Sequence, residues 1–385
     1  MTLAQAFAGV AGRNPHSGED VLNNQGGNER EDPAVKAITV EPGVPNSLRL
    51  DDYPEPVVDP TLLQVEALAL GICGTDREIV AGDYGWAPPG ARRLIIGHES
   101  LGRVTAAPQN SGFARGDLVV GIVRHPDPVP CPACRVGEWD MCRNGLYTEH
   151  GIKAVDGFAA ERFQIEPAYA VKLAPTLEML GVLLEPASVL AKAWDHIDRI
   201  GQRTASWQPR SVLITGGGAV GLLAALMGHQ RGLQIHLLDR AGRPVKADLV
   251  RALGGVYHAD TLPVDLRADI LIECTGSRSL IAEVMSRSNG SGIVCLTGLS
   301  SGGPTVPFDL AAFNRTTILQ NDLVFGTVNA NRRHYEAAAA ALAAADPTWL
   351  GRLLTRRVPL ERWAEAFEHR NGDIKVVLQF TGTSP

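Results

Sequence analysis

A glycine cluster between an apolar run and a helix-like segment constrains the fold most strongly. The run Ser211–Thr215 is typical of a buried strand, Gly216-x-Gly218-x-x-Gly221 follows it, and the next apolar run ends at Asp239. The first glycine permits a tight turn, the second lets the backbone approach a pyrophosphate, and the third permits close packing of helix on strand. The sequence therefore predicts a strand–turn–helix–strand unit that binds a dinucleotide.

The residues around this turn bear on which dinucleotide binds. The segment Val220–Gln230 is helix-like, and Ala219 and Val220 at its start would offer their N–H groups to the pyrophosphate. Asp239 would accept hydrogen bonds from the adenosine ribose, and its carboxylate would repel the 2′-phosphate of NADP. Arg240 and Arg243 lie just beyond and could bind that phosphate if Asp239 turned away. We predict that NAD is favoured, with NADP as the alternative.

The rest of the chain divides into regions with different sequence patterns. Its length of 385 residues predicts two or three domains. Residues 1–34 are poor in large apolar groups, which predicts a flexible tail. From residue 35 to about 190, short β-like runs separated by Gly and Pro predict a mostly antiparallel β domain. Residues 191–334 alternate strand with helix, which predicts a parallel sheet covered by helices on both faces. The fold class is therefore α/β.

Composition excludes several classes of function. The formal charge is −6, the pI is about 5.9 and no long basic run occurs, which argues against nucleic acid or an anionic membrane as partner. No apolar run approaches the roughly 20 residues that span a bilayer. The nearest, Ala337–Ala345, is flanked by acids and predicts a surface helix. The start of the chain lacks the basic residues of a secretory signal, so we expect a cytoplasmic protein.

Three separated motifs carry residues with catalytic or metal-binding chemistry: Gly71–Asp76 with Cys73, Thr75 and Asp76, Gly97–Glu99 with His98 and Glu99, and Leu184–Pro186 with Glu185. Taken singly, each has an ordinary structural explanation, such as a buried thiol, a loop imidazole or a helix cap. Together they offer one sulfur, one nitrogen and one or two carboxylates, which are the donors of an open zinc site. Their occurrence beside a dinucleotide motif favours a shared active site.

Several longer stretches resemble one enzyme family: GICGTDREI (Gly71–Ile79), GHESLGRV (Gly97–Val104), GEWDMCRNG (Gly137–Gly145), EHGIK (Glu149–Lys153) and GTVNANRRHY (Gly326–Tyr335). The chain is similar to the zinc-containing medium-chain dehydrogenases, and among them to the glucose (aldose) 1-dehydrogenases. The likeness covers residues 37–380. It implies a GroES-like β-barrel catalytic domain, residues 35–190 and 335–385, and a Rossmann doubly wound domain, residues 191–334.

The resemblance also implies a metal site. A catalytic Zn²⁺ would be held by Cys73, His98 and Glu185, with water or substrate in the open position. Glu99 is an alternate ligand, ranked below Glu185. Asp76 would orient the histidine from outside the coordination sphere.

The implied reaction is oxidation of an aldose, first D-glucose or a relative such as galactose or xylose, to its lactone, with hydride transfer to NAD(P). Thr75 would relay the proton, while Glu149, Asn329 and Glu185 would bind the substrate. A polyol, threonine or alcohol dehydrogenase on the same scaffold is the first alternative. A nucleotide-binding protein or reductase without sugar turnover is the second. The superfamily also implies a homo-oligomer, a dimer or tetramer.

A second metal site is incomplete. Many relatives carry four cysteines in a short lobe, and here Cys131, Cys134 and Cys142 match three of them. Pro128 occupies the first position and cannot bind metal, so a structural zinc needs a substitute ligand. The candidates for that fourth ligand are Asp127, then Asp140 and Glu149. The two remaining cysteines, Cys274 and Cys295, fall in predicted strands and are expected in the core.

Overall fold

A computed structural model of the chain describes residues 34–300 and 304–380. The predicted tail, residues 1–34, lies outside these residues except for Ala34. The N-terminal part contains strands and short helices, in order β1 (Ala34–Val40), β2 (Arg49–Pro54), β3 (Leu63–Ile72), α1 (Gly74–Ala81), β4 (Leu94–Ile95), β5 (Glu99–Ala106), β6 (Leu118–Gly121), β7 (Arg124–His125), α2 (Pro132–Arg135), β8 (Thr148–His150), β9 (Ala154–Val155), β10 (Arg162–Ile165) and β11 (Ala170–Lys172). Short 3₁₀ segments cover Trp139–Met141, Pro167–Tyr169 and Pro175–Leu183.

Strands and helices then alternate: α3 (Leu184–Gly201), β12 (Ser211–Thr215), α4 (Ala219–Gln230), β13 (Gln234–Asp239), α5 (Pro244–Ala252), β14 (Val256–Ala259), β15 (Ala268–Glu273), α6 (Arg278–Val284), β16 (Ser288–Leu296), α7 (Leu310–Gln320) and β17 (Leu323–Gly326). The chain closes with α8 (Arg332–Ala343), α9 (Pro347–Gly351), β18 (Leu354–Pro359), a 3₁₀ turn Leu360–Arg362, α10 (Ala364–Phe367) and β19 (Lys375–Gln379).

The largest sheet combines N-terminal and C-terminal strands. Its order is β11-β6-β5-β3-β19-β18, with β10 also paired to β3. Every pair is antiparallel except β18–β19. The last strand lies along β3 with Val376 opposite Ile72, so the end of the chain returns to the first part of the fold. The predicted antiparallel β region is confirmed.

The second large sheet is parallel throughout, in the order β14-β13-β12-β15-β16-β17. This is the doubly wound order 3-2-1-4-5-6, which places the topological switch between β12 and β15. Strand β12 coincides with the predicted run Ser211–Thr215, and α4 begins one residue before the predicted helix. The predicted parallel sheet is confirmed, and its switch point lies where the glycine turn leaves β12.

Helix α3 connects the two sheets. Its buried side, including Leu190, Trp194 and Ile197, belongs to one apolar cluster that extends from Leu101 in β5 to Leu222 in α4. Its first turn presents Glu185, so packing of this helix fixes where that carboxylate lies.

The alanine-rich segment is a helix at the surface, as predicted, but one face of it is covered. It lies in α8, whose Tyr335, Ala338 and Leu342 are buried, with the helix packed on α3. Alanine gives a weak apolar signal, so the sequence pattern understated how much of this helix is covered. Among residues 34–300 and 304–380, no helix is both long and apolar enough to cross a membrane.

Candidate active site

Cys73 lies at the junction of β3 and α1, where it caps the helix. Its sulfur accepts a hydrogen bond from the Thr75 N–H at 3.2 Å, and the Asp76 carboxylate accepts one from the Cys73 N–H at 2.8 Å. This reciprocal capping box fixes the thiol and the carboxylate relative to each other. Asp76 is fully buried and Cys73 is half-buried.

His98 approaches the same thiol from the loop between β4 and β5. Its Nε2 lies 3.0 Å from Cys73 Sγ, and its Nδ1 lies 3.3 Å from Asp76 Oδ1. The preceding Gly97 has φ +91°, and a Cβ there would approach the Leu70 side chain to 2.5 Å, so glycine is required. A proton on Nδ1 facing Asp76 leaves the Nε2 lone pair directed at Cys73, which suits a metal ligand.

Glu99 lies next to this pair but has a partner of its own. One carboxylate oxygen lies within 4.8 Å of both Cys73 Sγ and a ring nitrogen of His98. Both oxygens contact Lys375 Nζ at 2.6 Å, and this ion pair is almost wholly buried. Lys375 comes from β19, far away in sequence, and sequence reasoning missed it because no local signal identifies it.

Glu185 lies near these residues, but its carboxylate oxygens are not within 4.8 Å of all three ligand atoms of Cys73, His98 and Glu99. Its carboxylate accepts no hydrogen bond from any described residue, although only 8% of the residue is exposed. Burial raises the pKa of Glu185 to about 7, with the negative charges of Glu99 and Asp76 adding to the rise and His98 and Lys375 opposing it. A buried carboxylate without a partner is poised to accept a cation.

These donors fit Zn²⁺. Ligand distances of about 2.0–2.3 Å around a tetrahedral ion require donor atoms roughly 3.4–3.8 Å apart. The ligand atoms of Cys73, His98 and Glu99 lie within 4.8 Å of one another, and the 3.0 Å between Cys73 Sγ and His98 Nε2 would have to widen slightly around the ion. Burial opposes protonation of His98, yet the charges of Cys73 and Asp76 raise its pKa well above the ordinary value. The surroundings therefore favour positive charge at this point.

One cleft joins this cluster to the glycine turn. Cys73 and Glu99 line it together with Gly218 and Gly221. The N–H groups at the start of α4 have no side-chain cap, and a Cβ on Gly218 would meet nothing within 4 Å. The helix therefore offers unsatisfied donors beside open space, as a bound pyrophosphate requires.

The other glycines of the turn are required by close contacts. Gly216 has φ +94°, and a Cβ on Gly221 would lie 1.8 Å from the Gly216 carbonyl oxygen. Ala219 is buried and Val220 half-buried in the first turn of α4, and Val220 lines the cleft beside Gly218.

Asp239 lies at the end of β13, as predicted, but it has a basic partner. Lys246 Nζ lies 2.9 Å from Asp239 Oδ2, and both side chains are largely buried. Arg240 is exposed, and Arg243 donates to Asn371 at 3.3 Å. Lys246 offsets the negative charge of Asp239, which weakens the electrostatic argument against NADP. Sequence reasoning considered the two arginines and missed this lysine.

The structure brings Glu149 and Asn329 together. Asn329 Nδ2 donates to Glu149 Oε1 at 2.8 Å, and the Arg124 guanidinium donates to the same oxygen at 2.9 and 3.0 Å. Glu149 is buried and Asn329 half-buried. Arg124, directly opposite Glu149 in the β7–β8 pair, was not predicted.

The three cysteines of the segment 127–145, hereafter the cysteine lobe, lie within 4.8 Å of one another. Backbone N–H groups of Arg143 and Cys134 lower the pKa of Cys131 to about 6. The carboxylates proposed as a fourth ligand have other partners: Asp127 accepts from Val129 and Asn144, Asp140 pairs with Lys192, and Glu149 pairs with Arg124. Among the described residues, therefore, no side chain completes a four-ligand site here.

The last two cysteines differ in their burial. Cys295 is fully buried in β16, as expected. Cys274 follows the last residue of β15, so its placement within the strand was wrong by one residue, but it is partly buried, packs against the main apolar cluster and lines the cleft beside Gly218. The apolar run ends one residue earlier than the sequence pattern indicated.

Comparisons with known proteins agree with this geometry. The family model described as "Alcohol dehydrogenase GroES-like domain" matches residues 59–175, and the one described as "Glucose dehydrogenase C-terminus" matches residues 178–380. A GroES-like domain joined to a Rossmann sheet, with zinc-type ligands facing the nucleotide turn, defines a medium-chain dehydrogenase.

Individual relatives narrow this class. The glucose 1-dehydrogenase of Thermoproteus tenax is 40% identical over 356 residues, covering 90% of this chain and 99% of the relative, and that of Methanocella arvoryzae is 36% identical over 357 residues with the same coverage. A Haloferax mediterranei glucose dehydrogenase structure, in complex with NADP, Zn and gluconolactone, aligns with TM-score 0.83 and 29% identity over 90% of this chain and all of that one. The chain belongs to the glucose 1-dehydrogenase family.

Proposed function

We propose that this chain oxidises an aldose, D-glucose first, at its anomeric carbon to the lactone and passes the hydride to NAD(P). The cleft that Cys73 and Glu99 share with the glycine turn carries the proposal. It brings metal-type ligands and a dinucleotide site to one place, as hydride transfer requires. The activity of the relatives and the gluconolactone bound by the Haloferax enzyme support glucose as the substrate.

In this proposal Cys73, His98 and Glu185 would hold Zn²⁺, with Glu99 as the alternate ligand. When bound, the ion supplies a Lewis acid that lowers the pKa of a substrate hydroxyl. Asp76 fixes the ring of His98 through its contact with Nδ1.

The protein's own groups would orient the sugar and move its proton. Thr75, half-buried in the first turn of α1 beside Cys73, would relay the departing proton. Glu149 and Asn329 would bind sugar hydroxyls. Among the described residues, Arg124 and Asn329 donate to Oε1 of Glu149, which leaves Oε2 able to accept. Asn329 Oδ1 accepts from the Ala330 N–H, so Asn329 would act through the second N–H of its amide.

Both nicotinamide cofactors remain in the proposal. Asp239 would bind the adenosine ribose, and Lys246 beside it, with Arg240 nearby, provides positive charge for a 2′-phosphate. The preference for NAD stays a prediction, to be tested by the Michaelis constants for the two cofactors.

We further propose a homo-oligomer. None of the described residues of α7 is buried, and Leu310, Ile318 and Leu319 are each about two-thirds exposed. The helix precedes β17, the edge strand of the parallel sheet. A second copy of the chain would cover both features, and light scattering of the purified protein would distinguish a dimer or tetramer from a monomer.

The free state of the cysteines accords with a reducing compartment, and we propose the cytoplasm.

The test of the catalytic proposal is a substrate panel followed by absorbance of the reduced cofactor. Glucose, galactose and xylose are compared with a polyol, threonine and a simple alcohol, each with NAD and NADP, before and after chelation. We expect turnover of an aldose that chelation abolishes. Turnover of the polyol, threonine or the alcohol alone would replace the proposal with one of its alternatives.

A further inference from the structure

A buried polar network lies behind the two groups proposed to bind sugar hydroxyls. Arg124 donates to the Glu149 carboxylate through Nε and Nη2, and its Nη1 donates to the Asp140 carbonyl oxygen at 3.2 Å. One guanidinium therefore ties Glu149 to the cysteine lobe, because Asp140 lies between Cys134 and Cys142.

The Asp140 side chain extends this network towards the other hydroxyl-binding group. Its Oδ1 accepts a hydrogen bond from Asn331 Nδ2 at 2.7 Å, and its Oδ2 lies 2.9 Å from Lys192 Nζ. Asp140, Asn331 and Lys192 are all buried.

Lys192 completes the network from α3. Besides Asp140, its ammonium donates to the Val328 carbonyl oxygen at 2.9 Å, immediately before Asn329. Asn329 itself has φ +60°, a left-handed conformation that needs support from its surroundings. The backbone on one side of Asn329 is thus held by Lys192, and Asn331 on the other side is held by Asp140.

The chemistry of these contacts suggests why charges occupy this place. Removing an ammonium and a carboxylate from water is costly, and an apolar pair of similar volume often packs as well. An ammonium offers three directed donors, however. Here Lys192 Nζ contacts Asp140 in the cysteine lobe and the Val328 carbonyl oxygen in the segment that carries Asn329. Such contacts define the relative position of these segments, which packing of apolar groups does less strictly.

We propose that Lys192 and Asp140 are positioning residues that hold Asn329, and through Arg124 also Glu149, in the arrangement that binds the sugar. This role rests on the proposed function. Neither residue lines the cleft described above or belongs to the Cys73 cluster. Their loss should therefore impair recognition of the sugar and leave cofactor and metal binding intact.

The experiment compares Lys192→Met with Lys172→Met in the full-length protein. The control removes the same group from Lys172 on β11, whose half-exposed side chain pairs with Asp117. We expect Lys192→Met to raise KM for glucose roughly tenfold, the effect of losing about one well-placed hydrogen bond. KM for NAD(P) and zinc content should stay within about twofold. The control should change none of the three.

Asp140→Asn keeps the side-chain volume and serves if Lys192→Met does not fold. It should raise KM for glucose in the same direction by a smaller factor. Equal rises in both Michaelis constants, or an unchanged KM for glucose in folded, zinc-loaded variants, would overturn the positioning role while leaving the proposed function standing. If the unsubstituted chain oxidises no aldose, the proposed function fails and this role fails with it.

Discussion

The Cys73 cluster and the cysteine lobe both gather metal-type ligands, but they differ in donor chemistry and surroundings. The first combines sulfur, imidazole nitrogen and carboxylate oxygen, and it lines the cleft with the glycine turn. The second offers three thiols, and in the described structure the nearby carboxylates pair with other groups. Mixed donors around an open position suit catalysis, whereas a closed structural zinc site needs four ligands.

The surroundings of the two clusters sharpen this contrast. Asp76 supports His98 from behind, and the buried carboxylate of Glu185 lacks a hydrogen-bond partner among the described residues. In the cysteine lobe, backbone N–H groups lower the pKa of Cys131 to about 6, but the nearby carboxylates pair with other groups and leave the three sulfurs without a fourth ligand. We infer that ligand-type residues form a metal site only where their neighbours leave a ligand free for the cation. Four predictions test this inference.

The largest effect is expected from Cys73→Ser. Serine can still accept the Thr75 N–H and cap α1, so the fold should survive. Loss of the thiolate should release the metal and lower kcat/KM for glucose by about 10³-fold or more, since Lewis-acid stabilisation is worth several kcal/mol. Metal analysis and steady-state kinetics would measure this. A variant that keeps both its zinc and its turnover would remove the basis for a catalytic centre here.

Glu185→Gln should have the next largest effect, because it removes a proposed metal ligand. It also distinguishes the two candidate carboxylates, Glu185 and Glu99. We expect zinc content to fall and kcat/KM to drop about 10²-fold, more than a change outside the coordination sphere would cause. Glu99→Gln is the matched comparison. The Glu99 carboxylate already pairs with Lys375, so that variant should retain its zinc. The reverse result, with zinc lost only from Glu99→Gln, would make Glu99 the ligand.

Asp76→Asn tests the support behind the histidine. The amide can still accept the Cys73 N–H but loses the charge that faces His98 Nδ1. We expect a loss of 10- to 100-fold in zinc affinity or activity, roughly what second-sphere changes cost. Competition with a chromophoric chelator gives the affinity, and a melting curve checks that Asp76→Asn remains folded. Unchanged affinity would show that the ring is held by packing alone.

Much of the fold followed from sequence because its signals are local. The glycine turn, β12 and α4 need only consecutive residues, and their positions agree with the structure to within a residue. Strands β14 and β17 escaped prediction, since four-residue strands carry little periodicity. Cys73, His98 and Glu99 could be brought together only through motif order and family resemblance.

The partners of the site residues were harder to foresee. Lys375, Lys246 and Arg124 pair with Glu99, Asp239 and Glu149. The Lys375–Glu99 hydrogen bond spans 276 positions of the chain, and that of Arg124 with Glu149 spans 25. Contacts of this kind depend on strand register and helix packing, which one sequence does not reveal. The Cys73 cluster and the cysteine lobe differ in whether such partners leave a ligand free for a metal ion.

Cys142→Ser should have the smallest effect and completes the comparison. If the cysteine lobe lacks a fourth ligand and holds no ion, losing this half-buried thiol should leave turnover within about twofold and zinc close to one ion per chain. The melting temperature should shift by only a few degrees, since about 1 kcal/mol corresponds to roughly 2–4 °C or less in a chain of this size. Two zinc ions in the unsubstituted protein, with one lost from the variant, would instead mean that water or a rearranged side chain completes the site. Pairing of the nearby carboxylates with other groups would then not suffice to exclude a metal.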